Sequence, residues 1–135
     1  MKKMLIVDDE AVVLSLLIRA LREWDVEVLT STNLEDAEYA IKNTHFDVVL
    51  SDIRLTGMLD RTGLELISYV KEKSPGSYVI IMTAYGTPDI EKEAYAKGAY
   101  FYFEKPIPLE NLFDRLAALG MRKKSAAKGV RASEA

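Results

Sequence analysis

Val48-Val49-Leu50-Ser51-Asp52 is a short apolar run that stops at an acid, and the chain repeats that form. Met4-Leu5-Ile6-Val7 stops at Asp8 and Asp9, Val79-Ile80-Ile81-Met82 at Thr83, and Tyr100-Phe101-Tyr102-Phe103-Glu104 at Lys105. Between these runs the period changes. Val13, Leu16, Leu17, Ala20, Leu21 and Trp24 recur three and four positions apart, the apolar stripe of a helix. Uninterrupted apolar runs separated by helices predict parallel strands buried on both faces and joined by crossovers. Val26, Val28 and Thr30 alternate instead, as a strand near a sheet edge does. Five strand–helix alternations follow, an α/β doubly wound parallel sheet. Ligands of such sheets lie beyond the carboxyl ends of the strands. One rim therefore gathers Asp8, Asp9, Asp52, Thr83 and Lys105.

Punctuation along the chain agrees. Asn33, followed by Asp36, reads as a helix N-cap, and Thr87-Pro88 as an N-cap with proline in the first turn. Ser74-Pro75-Gly76 ends a helix that opens near Gly63, Gly98 closes the next, and Gly120 stops the last. A single domain is expected over residues 1–120, with 121–135 as a basic flexible tail or linker. The tail carries Arg122, Lys123, Lys124, Lys128 and Arg131 against Glu134 alone. Of 18 basic and 21 acidic residues, 13 and 20 thus fall in 1–120, a net charge of −7. An acidic body is poorly suited to nucleic acid, so no direct nucleic-acid binding is expected. The residues past Gly120 are too few for a DNA-binding module.

Composition excludes several chemistries. With no cysteine there are no disulfides or thiol nucleophiles, in keeping with a cytoplasmic location. One histidine, His45, rules out a multi-histidine metal site within one chain; it falls in a loop before the third strand and is read as inert. No apolar stretch reaches membrane-spanning length, and Lys2-Lys3 precedes a run too short for a signal peptide.

The rim has a chemistry of its own. Two carboxylates about 5 Å apart repel by roughly 3 kcal/mol at an effective dielectric near 20. Such a cluster calls for a cation, and Mg²⁺ fits best because it takes hard oxygen ligands and keeps several waters. Lys105 adds fixed positive charge and Thr83 a hydroxyl donor, the two things that an incoming phosphoryl group needs. Asp52, alone at the end of the most uniformly apolar strand, is the nucleophile candidate. Asp8 and Asp9 form the metal-holding side.

Four segments in order, Val7-Asp8-Asp9-Glu10, Ser51-Asp52-Ile53-Arg54, Met82-Thr83-Ala84-Tyr85-Gly86 and Lys105-Pro106, make the chain resemble the receiver (CheY-like) domain of two-component response regulators. The resemblance runs from residue 3 to about residue 119. It implies a flavodoxin-like sheet of order 2-1-3-4-5 with five helices. It also implies Asp52 as phosphoacceptor, Asp9 as a direct Mg²⁺ ligand, Asp8 acting largely through water, and the main-chain carbonyl of Arg54 as a further ligand. Thr83 becomes the switch hydroxyl, Tyr102 the switch aromatic and Lys105 the phosphate-pairing lysine, with Lys105-Pro106 in cis. Arg54 and Tyr85 fall where the family adjusts dephosphorylation. The implied partners are a bacterial sensor histidine kinase or phosphotransfer protein and a downstream effector meeting the face of the fourth helix, fifth strand and fifth helix. A homodimer formed on phosphorylation is a further expectation. Such a module is not an enzyme in the ordinary sense, having only self-phosphorylation and self-dephosphorylation.

Two positions depart from the family pattern. Leu55-Thr56 stands where Met-Pro is usual, and Gly63 lies eleven residues past Asp52, so the loop Thr56–Thr62 is longer than usual. Tyr100-Phe101 replaces the acids that one transcription-factor subgroup uses in a salt-bridged dimer. The alternative is an aspartate-nucleophile phosphatase of the haloacid dehalogenase type. Those enzymes place the nucleophile in an Asp-x-Asp after the first strand, where this chain has adjacent Asp8-Asp9.

Overall fold

The computed structural model describes residues 1–53, 62–84 and 86–124. Its elements alternate: β1 (Lys2–Val7), α1 (Ala11–Ala20), β2 (Val26–Ser31), α2 (Leu34–Asn43), β3 (Val48–Asp52), α3 (Thr62–Lys73), β4 (Tyr78–Thr83), α4 (Pro88–Lys97), β5 (Phe101–Glu104) and α5 (Leu109–Ala118). The strands form one sheet of order β2-β1-β3-β4-β5, every neighbouring pair parallel. No described helix is long and apolar enough to cross a membrane.

Side chains two apart share a face of a strand, and both faces here are apolar. Leu5, Val7, Val49, Val79, Ile81 and Tyr102 pack with Ala37, Ile41, Ile67, Val70 and Ala94 beneath α2, α3 and α4. Met4, Ile6, Leu50, Ile80, Met82 and Phe103 pack with Leu14, Leu17, Leu112 and Leu116 beneath α1 and α5. That two-sided burial is why the strands read as unbroken apolar runs.

Local chemistry fixes the helix ends. Asn33 Oδ1 accepts from the Asp36 N–H at 2.8 Å, and Thr87 Oγ1 from the Ile90 N–H at 3.2 Å. Gly98 closes α4 at φ 114°, a left-handed conformation that glycine adopts without strain. Gly63 serves closeness instead. Its N–H donates to the Ile53 carbonyl at 2.8 Å, and a Cβ there would stand 2.3 Å from the Asp52 carbonyl oxygen and 2.4 Å from Ile53 Cα. Both obstacles are backbone, so Gly63→Ala should destabilise the fold by about 3 kcal/mol, the upper part of the usual overpacking cost. Urea unfolding would measure it; a parent-like midpoint would contradict the close approach.

The domain boundary needs correction. Residues 121–124, expected in the tail, are attached to the body. Met121 is buried, Trp24 and Lys123 form an antiparallel bridge, and the Asp25 N–H donates to the Arg122 carbonyl at 2.7 Å. The apolar Met121 and the indole of Trp24, which meets Phe113 at 5.3 Å, hold this segment where charge counting predicted solvent. Residues 125–135 lie outside the described residues.

Candidate phosphoacceptor site

Parallel register brings the strand ends level. Val7 pairs with Ser51, Asp52 with Met82, and Thr83 with Glu104. The residues that follow β1 and β5 therefore emerge beside the end of β3. Lys105 is anchored by its N–H, which donates to the Thr83 carbonyl at 2.9 Å. The Lys105-Pro106 bond is cis, as the resemblance implied.

From there the ammonium reaches three carboxylates. Lys105 Nζ donates to Asp8 Oδ2 at 2.7 Å, to Asp52 Oδ2 at 2.9 Å and to Glu10 Oε1 at 3.0 Å. Asp8 is fully buried, Asp52 is nearly so, and the Lys105 side chain is 12% exposed. Asp8 Oδ1 also accepts from the Glu10 N–H at 2.8 Å, which fixes the carboxylate plane. Among the described residues, Asp8, Asp9, Glu10 and Asp52 each offer an oxygen within 4.8 Å of the others. Glu10 was missed as a site residue in the sequence, although it is the third consecutive acid after β1.

One lysine does not balance four acids. Burial raises the Asp8 carboxyl above its ordinary pKa and outweighs the hydrogen bonds from Lys105 and the Glu10 N–H and the charge of Lys105, which pull it down. Asp9 is raised as well, by desolvation first and the charge of Asp8 second. Burial opposes the Lys105 charge, but hydrogen bonds to Asp8 and Asp52 and the charge of Asp52 outweigh it and raise the lysine pKa. For a carboxyl raised in the folded state the linkage sign is negative. Asp8 and Asp9 oppose folding once ionised, and that opposition is relieved as pH falls through their folded values towards 3.8. Asp9 is exposed, so its share is small. Asp9→Asn should raise metal-free stability at neutral pH by about 0.5 kcal/mol, the scale of an exposed charge interaction. It should also shrink the Mg²⁺-dependent rise in melting temperature. An equal Mg²⁺ effect on parent and variant would remove Asp9 from the cluster's work.

Tyr102 pairs with Ile81, two positions before Thr83 on the adjacent strand, so Thr83 and Tyr102 share the sheet face towards α3 and α4, and both are buried. The Tyr102 hydroxyl has no hydrogen-bond partner among the described residues. Phe101 is half-buried: the Arg115 guanidinium lies 3.8 Å from its ring centre and Phe103 packs at 4.8 Å. His45 precedes β3, at the opposite end of the strands from Asp52, and bonds Ser74 Oγ at 3.0 Å. The Arg54 carbonyl, the loop Thr56–Thr62 up to its last residue, and Tyr85 lie outside the described residues.

Comparison with known proteins points the same way. The family model for the response regulator receiver domain matches residues 4–117. The response regulator protein PilR of Pseudomonas aeruginosa is 34% identical over 122 residues, covering 90% of this chain and 27% of PilR. The DNA-binding transcriptional regulator NtrC of Salmonella typhimurium is 36% identical over 105 residues, 78% of this chain and 22% of NtrC. The chain thus spans about a quarter of the length of the curated relatives it matches. The beryllofluoride-activated NtrC4 receiver domain dimer superposes with a TM-score of 0.80 at 34% identity, covering 88% of this chain and 96% of that one. A response regulator protein from Burkholderia pseudomallei, solved with a phosphorylated aspartic acid, calcium ion and citrate, gives 0.77 at 28% identity, covering 100% and 74%. On the family match, the sheet order and these relatives, this chain belongs to the response regulator receiver domains, the signalling modules of two-component systems.

Proposed function

We propose that Asp52 accepts a phosphoryl group from the phosphohistidine of a sensor kinase or phosphotransfer protein. An Asp52 carboxylate oxygen attacks phosphorus and the phosphorus–nitrogen bond breaks. The imidazole leaves with the bonding pair and takes up a proton, and an acyl phosphate remains on Asp52. Observation of one contact set carries this reading: Lys105 Nζ bound at once to Asp52 and to buried Asp8 at the strand ends. On transfer, the ammonium keeps Asp8 and passes its Asp52 hydrogen bond to a phosphoryl oxygen. The Thr83 hydroxyl, one strand over, donates to another.

The donor set around Asp52 fits Mg²⁺, since Asp8, Asp9, Glu10 and Asp52 offer only hard oxygens. Asp9, Asp52 and the Arg54 carbonyl would hold the ion, with Asp8 and Glu10 behind them. When bound, Mg²⁺ supplies the positive charge that offsets the cluster and the transferring phosphoryl oxygens.

The output is a change of partner affinity at the face of α4, β5 and α5, driven by Thr83 and Tyr102. The downstream effector meets that face. A phosphorylation-dependent homodimer accords with the NtrC4 receiver dimer. Self-phosphorylation from small donors and slow self-dephosphorylation are the extent of its catalysis. Its place is the bacterial cytoplasm. Asp52 on β3 and the adjacent acids on β1 are the reverse of the phosphatase arrangement, and the family match leaves that alternative without support.

The test is direct. Incubation with acetyl phosphate and Mg²⁺ should add one phosphoryl mass, labile to hydroxylamine, on the peptide that carries Asp52. No addition, or a label on another peptide, would sink the reading.

A further inference from the structure

Gly86 sits where Tyr102 needs room. The Tyr102 side chain is 7% exposed, yet its hydroxyl has no partner among the described residues. Burial first, then the charges of Glu104 and Glu91, pushes the phenol up to about 12. A buried hydroxyl without a partner is costly, so the ring stays inside only because its packing there is good. The space for it is made by a missing side chain. A Cβ on Gly86 would stand 1.5 Å from Tyr102 Oη, 2.8 Å from Cζ and 3.0 Å from Thr83 Cγ2. Those contacts bar a side chain at position 86 while the ring lies inside.

We propose that Gly86 is a positioning residue for the switch, a socket whose lack of a side chain admits the Tyr102 hydroxyl beneath the turn that leads into α4. This inference rests on reading Thr83 and Tyr102 as the switch pair. The volume at position 86 then sets the balance between a buried and an outward Tyr102. The outward ring gains water for its hydroxyl and loses its packing; the inward ring does the reverse. A methyl group at 86 removes only the inward option, because it occupies the place of the phenol oxygen. The hydroxyl is the main obstacle to that methyl group, and Cζ the lesser one.

Nuclear magnetic resonance of the full chain with ring-¹³C tyrosine tests this. The Tyr102 signal is identified by its loss in Tyr102→Phe, and its exposure is read with a dissolved nitroxide relaxation agent. Tyr102 should be protected in the parent and broadened severalfold in Gly86→Ala; continued protection in that variant would overturn the socket. A second variant guards against a misfolded alanine form. Tyr102→Phe with Gly86 intact removes only the unpartnered oxygen, so it should unfold at higher urea concentration than the parent. A lower midpoint would overturn the proposal. Failure of the switch reading is seen separately, as a parent Tyr102 signal that Mg²⁺ and beryllofluoride leave unchanged. Exposure in Gly86→Ala would still support the socket in that case.

Discussion

Asp52→Asn is expected to take up no phosphoryl group from acetyl phosphate while folding at least as stably as the parent. The amide keeps the shape of the carboxylate and loses the anionic oxygen that attacks phosphorus. Lys105 retains Asp8 at 2.7 Å and Glu10 at 3.0 Å, so its charge stays compensated. Two opposing terms change together. The attraction between Lys105 and Asp52 is lost, and so is the repulsion of Asp52 by the other acids within 4.8 Å. Each such repulsion is worth roughly 3 kcal/mol at an effective dielectric near 20. Three repulsions against one attraction favour the variant, so its metal-free stability should not fall below that of the parent. Intact mass reads the first expectation and urea unfolding the second. An undiminished mass gain in the variant would move the acceptor off Asp52.

Lys105→Met should damage both stability and phosphoryl uptake. Methionine follows much of the lysine path without the charge. Asp8 would then be a fully buried carboxylate with no cation among the described residues within hydrogen-bond reach. Breaking a buried pair on one side costs about 3 kcal/mol or more, because the remaining charge is uncompensated. Asp8 already has a raised pKa, and losing the lysine raises it further. The destabilisation should therefore be full above the folded pKa of Asp8 and fade as pH falls through it. Mg²⁺ should restore part of the loss. Uptake from acetyl phosphate should fall about 100-fold, comparable to removing one preorganised donor from developing charge. A parent-like unfolding midpoint at neutral pH would mean that the three hydrogen bonds of Lys105 carry no net weight.

Much of this was legible in the residues because strand ends are marked twice, by a change of period and by a change of polarity. Val48–Asp52 and Val79–Thr83 each turn from buried apolar to functional polar at one position, and β3 and β4 end at those positions. Register did the rest, since parallel pairing in sequence order levels those ends without any further signal. Contacts made by long side chains were not legible. Glu10 is a surface acid by pattern, and only the reach of Lys105 draws it into the cluster. Residues 121–124 were misread because their charges outnumber the single apolar anchor, Met121, and because the opposite partner, Trp24, had been spent on the stripe of α1. Gly86 was legible only as the end of the segment Met82–Gly86, not for the room that it leaves. Its meaning depends on a ring sixteen residues away on the neighbouring strand.

The deciding measurement is a crystal structure grown with Mg²⁺ and beryllofluoride. It should carry beryllium on an Asp52 carboxylate oxygen, a fluorine in hydrogen-bond reach of Lys105 Nζ, and the ion among the carboxylates of Asp9 and Asp52. Beryllofluoride on any other carboxylate, or an ion held without Asp9 and Asp52, would contradict the convergence of β1, β3 and β5 on one phosphoryl-accepting notch.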